Sequence, residues 1–148
     1  MTLARKKCIQ LNQAVFSMAN AYRSCMVRDG WVERTGLSLP DRSTLMVLGQ
    51  CAPMSARQLS NQMDINPGTI SVYVQRLVER GLVERSRDEK DRRTWWLTLT
   101  ADGKKAYAET LDGATQYTRD FLKPLTEDEQ RSLHELMLKV AEGLGYQW

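Results

Sequence analysis

Three groups of residues in this sequence carry enough reactive or polar chemistry to suggest a function. The first is the thiols Cys8, Cys25 and Cys51, an odd number at wide spacing, with no Cys-x-x-Cys pair and a single distant histidine, His134. That pattern argues against a disulfide framework and against a zinc site. No nucleophile stands beside a candidate base, so the chain reads as a non-enzyme without cofactor or metal. The second group is the run Arg85 to Arg93, where Arg85, Arg87, Lys90, Arg92 and Arg93 outnumber Asp88, Glu89 and Asp91. Such a local excess of cations suits phosphate. The third is a set of side chains on a helix running from about Pro67 to Arg80. Thr69, Ser71, Gln75 and Arg76 offer donors and acceptors of the kind that read base edges, while Val72 offers only methyl groups.

Composition leaves the class open, because 42% hydrophobic and 26% charged residues are ordinary for a globular chain and a formal charge of +3 is small. A length of 148 residues suits one compact α-rich chain that removes roughly two-thirds of its unfolded surface from water. Arg5, Lys6 and Lys7 are followed by no continuous apolar run, and no stretch reads as membrane-spanning. The expectation is a cytoplasmic protein with reduced thiols and no membrane partner.

The elements that must position these groups follow from periodicity and caps. Leu11, Val15, Met18, Tyr22 and Met26 recur at helical spacing and predict a long amphipathic helix ending near Asp29-Gly30. Ser38 caps a second helix, with Pro40 and Asp41 in its first turn and Leu45 and Leu48 on its inner face. Ser55 to Gln58 is a capping box that opens a short helix burying Leu59 and Met63. Asn66 then caps the helix that begins at Pro67, so two helices joined by a tight turn form a helix-turn-helix candidate. On that helix Ile70, Val74, Leu77 and Val78 share the core face, and Gly81 ends it. Two β runs, Leu82 to Arg87 and Thr94 to Thr100, form a hairpin with the charged stretch as its tip, and one of the adjacent Trp95 and Trp96 is expected in the core. Thr100 and Thr126 cap two further helices, separated by Pro124. The last carries Leu133, Leu136, Met137, Val140 and Leu144 on one stripe.

This order resembles the MarR (multiple antibiotic resistance regulator) family of winged-helix proteins over nearly the whole chain. The resemblance is carried by Leu77-Val-Glu-Arg-Gly-Leu-Val-Glu-Arg85, by Asp91-Arg-Arg93 and by Leu97-Thr-Leu-Thr-Ala-Asp-Gly103. It implies a mainly α fold with a small β-hairpin wing. A winged helix-turn-helix region at 38–100 would be flanked by dimerisation helices at 1–37 and 101–148. It implies a homodimer that binds a pseudo-palindromic operator in double-stranded DNA, more often as a repressor, with half-sites about one helical turn apart.

In that family pattern the recognition helix contributes Pro67, Gly68, Thr69, Ser71, Val72, Gln75 and Arg76, and the wing contributes Arg87, Lys90, Asp91, Arg92 and Arg93. Asp91 is expected to hold a wing arginine by an ion pair. A small organic effector would be lined by Tyr22, Met26, Trp31 and Met46. The hydroperoxide-sensing branch places its cysteine where this chain has Val15, which disfavours thiol sensing. A winged-helix protein-interaction module and a thiol-based redox regulator are the alternatives.

Overall fold

Ser38, Ser55, Asn66, Thr100 and Thr126 each begin a helix for the same reason. The side-chain oxygen of each accepts a hydrogen bond from the backbone N–H three residues on, satisfying a donor the helix itself leaves without a partner. At Ser38, Ser55 and Thr126 the side chain of that third residue returns a bond to the cap's own N–H, which completes a capping box.

A computed structural model describes residues 4–145 of the chain, which divides into two units, residues 1–37 and residues 38–148. The first unit contains α1 (Arg5–Arg28) and the short α2 (Trp31–Thr35). The second contains α3 (Leu39–Cys51), β1 (Met54–Ser55), α4 (Ala56–Met63), α5 (Pro67–Glu79), β2 (Val83–Arg87), β3 (Trp95–Leu99), α6 (Ala101–Leu122) and α7 (Glu127–Gly143). The fold is mostly helical with one small antiparallel sheet.

The core of the second unit is built from the faces that periodicity marks as apolar. Leu45 and Leu48 of α3, Leu59 of α4, and Ile70, Val74 and Leu77 of α5 are buried together with Val83, Leu97 and Leu99 of the strands. Each such side chain contributes about 1.5 to 3 kcal/mol relative to exposure. Helix α3 lies at the centre, packing against α4, α5, α6 and β3. Two glycines permit close approaches. A Cβ at Gly103 would overlap the carbonyl of Leu82, and one at Gly49 would overlap the ring of Tyr107. The first turn of α6 is thereby seated on the start of the hairpin, where Thr100 Oγ1 also donates to the Gly81 carbonyl at 2.6 Å.

Two elements were not expected. Helix α2 follows Gly30, whose φ of 69° makes the turn, and Asp29 Oδ1 accepts from the Trp31 N–H at 2.9 Å. Strand β1 is only two residues long and exists by pairing with β3, Met54 opposite Leu97 and Ser55 opposite Trp96, giving a sheet ordered β1-β3-β2.

The expectation of a core tryptophan is corrected. Trp95 is 46% exposed and Trp96 is half-buried, because β3 extends past the core at its N-terminal end and only Leu97 and Leu99 reach the interior. The apolar stripes of the long helices are also open. No residue of α1 or α7 is buried, and Leu11, Val15, Leu136, Met137, Val140 and Leu144 are all more than half exposed.

Candidate nucleic-acid interface

The turn before α5 is made locally. Asp64 takes a left-handed conformation with φ 51°, Ser60 Oγ donates to the Ile65 carbonyl at 2.6 Å, and Asn66 Oδ1 accepts from the Thr69 N–H at 2.9 Å. Asp64 is of a type that tolerates this geometry better than most residues. Pro67 then occupies the first helical position, where a missing N–H costs nothing. With Ile70, Val74 and Leu77 in the core, Pro67, Gly68, Ser71, Val72, Gln75 and Arg76 are on the exposed side and Thr69 is half-buried. A helix of 13 residues is about 20 Å long, and its diameter matches a major groove about 12 Å wide.

Two long polar side chains on this helix already have partners. Arg76 Nη2 lies 2.9 Å and its Nε 3.1 Å from Asp41 Oδ1 on α3, and its guanidinium stands over the Tyr73 ring at 5.3 Å. The Asp41 side chain is only 3% exposed, and its other oxygen accepts from Ser38 N–H at 2.9 Å and Ser38 Oγ at 2.6 Å. Arg76, offered to bases by its position on the helix, is 44% exposed and also has this partner on α3. Its charge is committed to the packing of α5 on α3. Gln75 Nε2 donates to Glu79 Oε1 at 2.9 Å on the helix surface.

The hairpin pairs Val83 with Leu99 through to Arg87 with Trp95. Arg87 stands over the Trp95 ring at 5.3 Å, where the ring's electron-rich face attracts the cation. Two carboxylates organise the tip. Asp88 Oδ1 accepts from the backbone N–H of Lys90 at 2.8 Å and of Asp91 at 2.7 Å, while Oδ2 accepts from Trp96 Nε1 at 2.7 Å. These donors hold the Asp88 carboxyl below the usual aspartate range, the Asp91 N–H contributing most, then Trp96 and then Lys90.

Asp91 Oδ1 accepts from the Arg93 N–H at 3.0 Å and Oδ2 from Thr94 Oγ1 at 2.9 Å. The expected ion pair between Asp91 and a wing arginine is therefore replaced by bonds to backbone and hydroxyl. The physical reason is local, since a carboxylate in a tight turn reaches the next N–H groups before a long side chain can fold back. As a result Lys90, Arg92 and Arg93 are exposed, with no carboxylate of the described residues within ion-pair distance. Asp88 is the tip residue that the charge pattern alone did not single out. Its signal was an aspartate leading a polar turn.

The family model of the MarR family matches residues 37–95, which span α3, the helix-turn-helix and the start of β3. Over these residues the chain is similar to the MarR family. Among named relatives, the HTH-type transcriptional repressor MdtR of Bacillus subtilis is 25% identical over 111 residues, 75% of this chain and 72% of that protein. A MarR-family protein from Bacillus stearothermophilus has the same fold, with a TM-score of 0.83 at 17% identity, covering 98% of this chain and 100% of the other. The structure of FabT of Streptococcus pneumoniae in complex with DNA aligns with a TM-score of 0.74 at 19% identity, covering 92% of this chain and 96% of that one.

Between α5 and the hairpin lies a half-open cleft of about 260 Å³, lined by Ala56, Ser71, Val74, Arg85, Trp95 and Leu97. Arg85 therefore borders the same face as Ser71. Of the residues the family resemblance offers to an effector, Tyr22 on α1 is 39% exposed, Met26 is half-buried, Trp31 on α2 is buried, and Met46 on α3 is half-buried. None of the three cysteines forms a disulfide. Among the described residues there is no cluster of histidine, cysteine and carboxylate groups that could hold a metal ion. No helix among them is long and apolar enough to cross a membrane.

Proposed function

We propose that this chain is a sequence-specific transcriptional regulator of the MarR family, a repressor, that binds double-stranded DNA as a homodimer. The observation that carries the reading is the pairing of a solvent-facing helix, α5, with a hairpin tip whose Lys90, Arg92 and Arg93 have been left without carboxylate partners. The helix suits the major groove, and the tip suits the flanking phosphates or minor groove. Support comes also from MdtR, which is named a repressor, and from FabT, which has been seen with DNA on the same fold.

The dimer part of the proposal rests on the open apolar stripes of α1 and α7, since exposed side chains such as Leu136, Met137, Val140 and Leu144 form a stripe that a monomer would leave in water. The regions 1–37 and 101–148 supply the contact, and 38–100 supplies the DNA-binding part. Two copies related by a two-fold axis read a pseudo-palindrome. A small organic effector that prefers a conformer with mismatched half-site spacing lowers operator affinity. The protein works in the cytoplasm, with its DNA.

Electrophoretic mobility shifts on fragments of the source genome, repeated across a salt series, test the reading. Selected fragments should bind far more tightly than random DNA, with affinity falling steeply as salt rises. Salt-independent or absent binding would leave a winged-helix module for protein contacts. Light scattering at micromolar concentration should return twice the chain mass, and a monomer would overturn the dimer.

A further inference from the structure

At about 100° per residue, Val72 lies roughly 170° around α5 from the mean direction of Ile70, Val74 and Leu77. It is therefore the apex of the exposed face, and it is 55% exposed. Gly68, one turn earlier on the same line, adds no side chain to shield it. Thr69 is half-buried, and three neighbouring polar side chains are engaged within the protein. Arg76 is held by the buried Asp41, the Gln75 amide by Glu79, and Ser71 Oγ donates to the Pro67 carbonyl at 2.9 Å.

A guanine contact needs a free guanidinium or ammonium, and an adenine contact needs both ends of a carboxamide. Arg76 is held by a pair whose carboxylate is out of water, and Gln75 donates one of its two amide N–H groups to Glu79. The centre of the reading face is apolar. The apolar feature that a base pair shows in the major groove is the 5-methyl group of thymine.

Resting on the DNA-regulator reading above, we infer that Val72 is the specificity-determining residue of α5, and that it selects operators by packing its methyl groups against thymine methyls. Each half-site then carries one or two thymines beneath the N-terminal half of α5, where discrimination comes from shape and desolvation. Removing a thymine methyl costs about three- to fivefold in affinity at such a position, the equivalent of one buried methylene. Cytosine at the same place becomes acceptable when it carries a 5-methyl group.

The test begins with duplexes selected from genomic fragments and replaces each thymine in turn by deoxyuridine, which pairs identically but lacks the methyl. Wild-type protein should lose about three- to fivefold at the positions under α5, and 5-methylcytosine should bind better there than cytosine. Val72→Ala should bind thymine and uracil duplexes equally at those positions, while Val72→Thr, which keeps one methyl group, should retain part of the preference. Because Val72 is exposed, both variants should keep the wild-type circular dichroism spectrum and melting temperature. Equal wild-type affinity for thymine and uracil duplexes would overturn the inference, as would a thymine preference that survives in Val72→Ala. If wild-type protein fails to prefer any selected fragment over random DNA, the regulator reading itself fails, and this inference with it.

Discussion

Arg76 of α5 and Asp41 of α3 form an ion pair at 2.9 Å in which the carboxylate is buried and the guanidinium is partly exposed. The same carboxylate closes the capping box of Ser38, so one side chain joins the start of α3 to the face of α5. The orientation of α5 is thereby tied to a helix that itself contacts most of the second unit's elements.

Arg76→Ala should therefore act first on stability. It leaves Asp41 buried without its cation, a loss of 3 to 5 kcal/mol for a fully buried pair. Because Arg76 is partly solvated, about 2 to 3 kcal/mol is expected. Urea unfolding should show a lower midpoint with an unchanged slope. On DNA the variant should lose affinity for selected and random sequences alike. A loss confined to the selected site would restore Arg76 as a base reader.

Asp88→Ala should disorder the hairpin tip, since it removes the acceptor for two backbone N–H groups and for the Trp96 indole. The indole N–H resonance of Trp96 should move toward its solvent-exposed position, and DNA affinity should fall on all sequences. Acid should act in the same direction. The folded-state pKa of Asp88 is depressed, so its contribution is fully present above the unfolded aspartate value and is lost as pH falls through the lowered folded value. The Trp96 resonance should stay constant through the neutral range and shift only below the ordinary carboxylate titration. A shift near neutrality would contradict the assignment.

Arg92→Ala and Arg93→Ala should each weaken binding to every sequence and flatten the dependence of log affinity on log salt by about one unit per lost phosphate contact. Their exposure and lack of an internal carboxylate make a stability change small, within about 0.5 kcal/mol. An unchanged salt slope in both variants would place the phosphate contacts elsewhere on the hairpin, with Arg85 and Arg87 next to test.

Gly103→Ala should be among the most damaging single changes outside the core. Its new methyl meets the Leu82 carbonyl, which is backbone and cannot rotate away, so about 3 kcal/mol or more is expected. Gly49→Ala meets the Tyr107 ring instead, a side chain that can shift, and should cost about 1 to 3 kcal/mol. Thermal melting of the two variants should show the larger drop for Gly103→Ala.

Much of the fold was legible because its signals are short-range. Each cap at Ser38, Ser55, Asn66, Thr100 and Thr126 is a contact across three residues, and each core stripe repeats every three or four. Helix α2 and strand β1 were not legible, being too short to show a period, and β1 has no meaning without β3 beside it. The exposed position of Val72 was legible from the helical wheel. The engagement of its neighbour Arg76 was not, since Asp41 lies 35 residues away in the chain.

The sequence by itself determined the starts of the capped helices α3 to α7, the turn between α4 and α5, the charged tip and the family resemblance, because backbone capping, periodicity and motif order need no knowledge of distant partners. Only the tertiary structure decided which polar groups the protein engages internally and which it leaves to solvent. It spends Arg76 on Asp41 and the carboxylates Asp88 and Asp91 on the turn, and leaves Lys90, Arg92 and Arg93 outward. The physical reason is that a buried carboxylate must find a donor, and the donor it finds depends on which helices pack together.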